Sequence, residues 1–350
     1  MSEYDVVIIG GGPAGLSAAL VLARARRRVL VVDGGRPRNA AATHLHGYLS
    51  RDGMPPADLL AAGRTEVLGY GAGLMSGRVT SLVRHGSRRH WVLLADGTRV
   101  AARRVLVTTG LRDELPDLAG LRDRWAQDVL HCPYCHGYEV RDRRLGVLAN
   151  GSGSVRYALI VRQWSDDVVY FTGTSTFTPT ERTQLLARRI EPVEGPITRL
   201  VIEPDDQLAG LLLADGQVVA CDALFVPPRF VPHDELLTGA GCDLDERGWV
   251  TADLEGRTSV LGLWAAGNVV DPRAQVITAA GAGSAVAIAL NADLVAEDVD
   301  LAVQDLRHGI NVGPGPAPAP APKHAPTSTA APTPTPASTP TPTPTPKESS

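Results

Sequence analysis

Apolar residues along the chain gather in short unbroken runs, separated by glycine-rich turns and Ala/Leu-rich stretches, and one such arrangement occurs twice. Asp5-Val-Val-Ile-Ile9 shows no polar alternation, the pattern of a strand buried on both faces of a parallel sheet. Gly10-Gly-Gly-Pro-Ala-Gly15 follows, then an Ala/Leu-rich helix to about Arg26, then a strand over Val29 to Val32 that ends in Asp33. The second copy begins at Leu145-Gly-Val-Leu-Ala149 and turns through Asn150-Gly-Ser-Gly-Ser154. A helix to about Trp164 and a strand over Val168 to Phe171 complete it. Two strand-turn-helix-strand units predict an α/β protein with two doubly wound, Rossmann-like domains.

The two loops differ in what they can hold. In the first, Gly10, Gly12 and Gly15 fit G-x-G-x-x-G between strand and helix. The first glycine allows the tight turn, the second lets a pyrophosphate reach the backbone, and the third lets helix and strand pack closely. The helix N-terminus then receives the phosphates. Asp33 ends the next strand, where a carboxylate accepts bonds from a ribose diol. In the second loop Gly151 and Gly153 are followed by Arg156, too bulky for close helix–strand contact. The strand after it runs Tyr170-Phe171-Thr172-Gly173-Thr174, with neither an acid for a ribose nor an arginine for a 2′-phosphate. Arg182, Arg188 and Arg189 serve a phosphate only if the fold brings them back. NADP(H) binding is therefore doubtful: an inherited shell with weak or no nicotinamide affinity competes with a working site.

Composition narrows the class. The chain has 350 residues, with 34 Lys+Arg against 38 Asp+Glu and a net charge of −4. That balance gives no electrostatic support for a nucleic-acid or anionic-membrane partner. Val6 to Ala23 resembles a signal segment in apolarity, but acidic residues precede it and Gly10 to Pro13 interrupt it. No other stretch is expected to reach membrane-spanning length without charges, so a soluble cytoplasmic protein is expected. Thirteen of the 27 prolines fall between Pro314 and Pro346, so a disordered Pro/Ala/Thr-rich tail is expected from about residue 311. Setting it aside leaves about 313 residues, enough for two domains.

His131-Cys-Pro-Tyr-Cys-His136 concentrates the chemistry. Two thiols separated by two residues can close a small disulfide, and flanking histidines can carry the protons of thiol–disulfide exchange. A zinc half-site is the competing reading, but Cys221 and Cys242 carry no matching motif. Those two are expected to be packing residues, and no metal is expected.

These motifs carry a family resemblance. Gly10 to Gly15, Val105-Leu-Val-Thr-Thr-Gly110, Cys132-Pro-Tyr-Cys135, Trp264-Ala-Ala-Gly-Asn268 and Ala274-Gln-Val-Ile-Thr278 resemble, in order and spacing, the low-molecular-weight thioredoxin reductases of the pyridine nucleotide–disulfide oxidoreductase superfamily. The likeness covers about residues 4–300. It implies a discontinuous FAD domain (1–114 and 247–300) and an inserted NAD(P)-like domain (115–246) carrying the cysteines. A C-terminal extension (301–350) follows. It also implies that Gly10, Gly12, Pro13, Ala14, Gly15, Asp33, Asn39, Gly110, Gly267, Asn268, Gln275 and Val276 hold FAD, and that the protein is a homodimer.

The departures from that family point further. His136 stands where the family has an aspartate acting as acid, Asn268 replaces another, and Ala274 stands where an arginine precedes Gln275. The family's basic NADPH clamp after the second Rossmann strand is also missing, and His136 together with that loss is similar to the dithiol oxidases of the gliotoxin and holomycin pathways. The resemblance implies that Cys132 exchanges with a small-molecule dithiol, Cys135 faces the flavin, His136 carries protons and O2 takes the electrons. His131 and Glu139 are candidate helpers, with packing and a solvated charge as their respective alternatives, and His44 and His46 either border the flavin or fill a loop. An NADPH-dependent thioredoxin-disulfide reductase acting on a thioredoxin-like protein is the alternative within enzymes. A flavin-bearing redox sensor or interaction protein is the alternative outside them.

Overall fold

The computed structural model describes residues 3–86 and 89–308; the Pro-rich stretch from 311 lies outside the described residues. The first unit opens with β1 (Glu3–Ile9), α1 (Pro13–Arg24), β2 (Val29–Asp33), α2 (Pro56–Gly69) and β3 (Gly73–Ser76). It continues as the meander β4 (Val79–His85), β5 (Arg89–Leu94) and β6 (Arg99–Val107). The sheet order is β3-β2-β1-β6-β5-β4, parallel from β3 to β6 and antiparallel beyond. The chain then leaves through β7 (Leu111–Glu114).

The second unit comprises β8 (Val129–Leu130), α3 (Pro133–His136), β9 (Leu145–Leu148), α4 (Ser154–Val161), β10 (Val168–Phe171), α5 (Pro179–Ala187) and β11 (Ile190–Val193). An antiparallel layer of β12 (Ile197–Ile202), β13 (Leu208–Leu213) and β14 (Val218–Ala220) leads into β15 (Ala223–Phe225). The parallel sheet runs β11-β10-β9-β15-β8. The return passes through β16 (Arg229–Pro232), paired antiparallel with β7. α6 (Glu235–Gly239), β17 (Leu263–Ala265) beside β6, and α7 (Val276–Arg307) finish the chain.

The change of core comes earlier than the expected boundary at 246/247. Leu237, Cys242 and Val250 pack in one cluster with Val7, Ile9, Val105 and Val107, so the chain has rejoined the first sheet soon after β16. The opposite face of that sheet is covered by α1 and α7, with Leu16, Ala19, Leu22, Ala287, Leu290 and Leu294 buried together. Two further clusters cover the faces of the second sheet.

Helix α7 corrects a second expectation. Residues 274–292 carry no charged side chain, and by length and composition α7 could cross a membrane. Its apolar stripe is spent on α1 instead. Gly283 makes the approach close: a Cβ there would stand 2.0 Å from the Ala14 carbonyl oxygen. Further along, Asp293 pairs with Arg104, and Asp298 with Arg27 and Arg103, tying the helix to the β1–β6 layer.

Candidate functional site

The first glycine loop has the geometry its motif requires. Gly10 lies at φ +111°, and a Cβ there would stand 2.4 Å from the Thr108 carbonyl oxygen. A Cβ on Gly15 would stand 1.9 Å from the Gly10 carbonyl oxygen, so helix and strand meet only because both positions are bare. Gly12 differs: nothing lies within 4 Å of its missing Cβ, and it caps α1 with Pro13 as the first helical residue. Two glycines thus close the fold and the third leaves room for a phosphate. Asp33 accepts from the Gly11 N–H (3.1 Å) and from Arg64 (3.3 Å) at the C-terminal end of β2. Each of its oxygens keeps lone-pair capacity for a diol. Gly110, at φ +73°, also faces open space, and Asn39 lies half-buried in the turn after β2. These residues fit a dinucleotide.

At the other end, Gly267 (φ +77°) leaves its missing Cβ 3.0 Å from Ala14 Cβ. The Asn268 amide donates to the carbonyls of Asp271 and Ala274, both at 2.9 Å. Its nitrogen therefore braces the approach to α7, and its oxygen is the group left for a ligand. Gln275 caps α7, with Val276 as its first helical residue.

The second loop differs from the sequence reading. Ala149 N–H donates to Phe171 as Gly10 N–H donates to Val32, each one residue past a matched strand pair. In that register Ala149, Gly151 and Ser154 correspond to Gly10, Gly12 and Gly15. Ser154, buried, is the small residue between helix and strand, and Arg156 is exposed on the first turn of α4. The Ser154 hydroxyl accepts from Asn150 N–H (3.0 Å) and donates to the Gly151 carbonyl (2.8 Å), while the Asn150 amide donates to Pro227 (2.8 Å). The loop is thus braced by its own side chains. Arg188 and Arg189 sit between α5 and β11, at the N-terminal end of the parallel strands, whereas this loop follows the C-terminal end of β9. Arg182 is paired with Glu194 and lies over the Phe177 ring.

Cys132 and Cys135 form a disulfide, with their Cα atoms 5.2 Å apart across the short α3. Gly137 continues that turn because a Cβ there would stand 2.5 Å from the Pro133 carbonyl oxygen and 2.8 Å from the Trp164 ring. The Gln275 amide reaches both sulfurs, at 3.9 Å each. The fold therefore brings the pair to the α7 N-terminus, a contact the sequence reading did not contain.

The flanking histidines divide. His131 packs edge-on against Phe230 (5.2 Å), and burial with the Arg38 guanidinium pushes its pKa down to about 4. It is a neutral packing group. Arg38 itself is held by a two-pronged bond to Asp113 at 2.8 and 2.6 Å, a pair unseen in sequence. His136 is also held below the ordinary histidine range, chiefly by burial; Glu139 opposes that effect and His46 adds to it. A histidine neutral at pH 7 can accept a thiol proton. Cys221 and Cys242 are buried and free, and burial pushes the Cys221 thiol up to about 12, so neither supplies a thiolate near neutrality.

Comparison with known proteins agrees with this geometry. Residues 4–284 match the family described as pyridine nucleotide-disulphide oxidoreductase. Thioredoxin reductase sirT of Leptosphaeria maculans is 29% identical over 317 residues, 85% of this chain and 96% of that protein. A probable thioredoxin reductase of Arthroderma benhamiae is 38% identical over 152 residues, 42% of this chain; the match spans only 38% of that longer relative. Among solved structures, HlmI superposes with a TM-score of 0.86 at 54% identity, covering 88% of this chain and 98% of its own. An oxidoreductase from Agrobacterium tumefaciens gives 0.78 at 33%, covering 84% and 99%. With the match running through both glycine loops and the cysteine pair, the chain belongs to the pyridine nucleotide-disulphide oxidoreductase family and is an oxidoreductase with FAD as its cofactor.

Proposed function

We propose that the protein oxidises a small-molecule dithiol to its disulfide, passing two electrons through Cys132 and Cys135 to FAD and on to O2. The observation that carries this reading is the second glycine loop. Its Asn150 N–H is taken by Ser154, and Thr172-Gly173-Thr174, directly after β10, offers no acid or arginine to hold a nicotinamide cofactor's ribose or phosphate. Both features support entry of electrons from the thiol side.

In the reductive half, a substrate thiolate attacks Cys132 Sγ and breaks the Cys132–Cys135 bond, leaving a mixed disulfide and a Cys135 thiolate. The second substrate thiolate attacks the substrate sulfur, closing the product and releasing Cys132. Two electrons now reside on the enzyme cysteines, and the two thiol protons have been given up. His136, kept neutral, takes one of those substrate protons beside the Cys135 thiolate, and solvent takes the other. Gln275 holds both sulfurs at the α7 N-terminus, beside the residues expected to hold the flavin. FAD supplies the two-electron relay from thiols to O2, which leaves as hydrogen peroxide. Gly10, Gly12, Pro13, Ala14, Gly15, Asp33, Asn39, Gly110, Gly267, Asn268, Gln275 and Val276 are the residues we assign to FAD.

The test is anaerobic mixing with NADPH, followed by a dithiol in air. The flavin spectrum is expected to stay oxidised with NADPH, and oxygen uptake is expected with the dithiol. Rapid bleaching at micromolar NADPH would instead establish the thioredoxin-reductase reading, which the names of the relatives favour. A homodimer is supported by the exposed Ile288, Val295 and Val299 on α7. A reducing compartment suits a chain with two buried free thiols, and we place it in the cytoplasm.

A further inference from the structure

Loop 45–53, between β2 and α2, is fixed from within. Leu45 is buried and exchanges backbone hydrogen bonds with Met54 and Gly53, both at 2.9 Å. Asp52 accepts from the Gly47 N–H at 2.8 Å and stands 3.3 Å from His46 Nδ1. On its other side, His46 Nε2 stands 3.5 Å from a Glu139 oxygen. Asp52 and His46 belong to the first unit, whereas Glu139 follows the cysteine pair in the second. The same loop also passes Gln275, since a Cβ on Gly47 would stand 3.6 Å from its Oε1. One loop therefore touches both the segment that carries His136 and the residue that holds the two sulfurs.

We propose that Asp52, His46 and Glu139 form a positioning chain that latches the cysteine segment to loop 45–53 and fixes the charges set around His136. The inference rests on His136 being the base of the cysteine pair. Its sign follows from charge. The Glu139 carboxylate strengthens the hold of His136 on a proton, and His46, standing between two carboxylates, offsets it. His44, whose ring centroid lies 6.5 Å from that of His46, borders the chain. The pairs are partly exposed, with His46 24% and Glu139 45% accessible, so each shifts the balance without fixing it.

The test reads the thiols directly. The holoenzyme is reduced, freed of reductant under nitrogen, and alkylated with iodoacetamide from pH 5 to 9, with labelling of Cys132 and Cys135 followed by mass spectrometry. The tighter His136 holds its proton, the lower the pH at which thiolate appears. His46→Gln is expected to lower the midpoint and Glu139→Gln to raise it, each by about half a pH unit. The double variant should return close to the starting value. Shifts in the same direction, or none, overturn the chain, because loosening alone has no opposite sign in the two variants. His136→Asn should raise the midpoint towards an ordinary thiol; an unchanged midpoint removes His136 as base and the chain with it. None of these outcomes depends on whether NADPH or O2 exchanges electrons with the flavin, so they are separable from a failure of the oxidase reading.

Discussion

At the scale of single residues, the reaction turns on groups that lie next to one another in sequence and on others that do not. Cys132, Cys135 and His136 occupy one turn, so their spacing alone announced a redox pair. Gln275, flagged in sequence only as a flavin residue, reaches the two sulfurs only after the chain has crossed between units. His46 likewise reaches Glu139, just beyond that turn, and no local pattern marks these contacts. Replacing Cys135 by Ser removes the thiol expected to face the flavin while leaving the first glycine loop intact. Dithiol oxidation is expected to fall by at least about a thousandfold, the scale of losing a nucleophile from a concerted set. The purified variant should stay yellow, with unchanged flavin absorbance. Retained oxygen uptake would remove the pair from the mechanism.

At the scale of elements, the buried parallel strands were legible and the antiparallel ones were not. β1, β2 and β10 are unbroken apolar runs, and the structure ends each within two residues of the pattern. Antiparallel β5 carries the inward-facing polar His90 and so shows no alternation, and β8, although parallel, has only two residues, too few to show a run. The second glycine loop misled for another reason: Gly153 imitates a motif position but sits in a left-handed cap, and Ser154 does the packing. Helix α7 offers a paired test of close approach against propensity. Alanine at Gly281, where nothing lies within 4 Å, should stabilise the protein by about 0.5–1 kcal/mol, the ordinary helix preference. Alanine at Gly283 gains the same preference but places Cβ 2.0 Å from the Ala14 carbonyl oxygen. Overpacking of that kind costs about 1–3 kcal/mol or more, which outweighs the gain. Because Ala14 lies in the first turn of α1, Gly283→Ala should also bind FAD less tightly. Thermal melting with and without added FAD checks this: the variant's Tm should fall and rise again with excess cofactor.

At the scale of the whole molecule, the two units are joined through β7 and β16, and His131 lies against that join. It packs on Phe230 of β16, with Arg38 over the same ring and bonded to Asp113 of β7. This placement makes stability depend on pH. Folding depresses the His131 pKa from 6.5 to about 4, with burial the largest cause and Arg38 the next. Above pH 6.5 neither the folded nor the unfolded chain holds the proton, and His131 contributes no slope. As pH falls from 6.5 towards 4, the unfolded chain takes up a proton that the folded one refuses, so stability drops. His90 and His136, also held low by burial, act in the same direction. Asp5 and Asp298 act only further down: their pKa values are depressed despite burial, by Arg28 in one case and by Arg27 and Arg103 in the other. Their stabilisation is full above the unfolded value of 3.8 and is lost as pH falls through the folded one. Loss of stability between pH 7 and 5 therefore belongs to the histidines. His131→Asn removes one of them while keeping a polar group of similar size. Its urea midpoint should fall less between pH 7 and 5 than that of the parent protein, a difference of about 1–2 kcal/mol at pH 5. An equal fall in both proteins would mean that the join tolerates a charged His131, and that its pKa is not depressed by the fold.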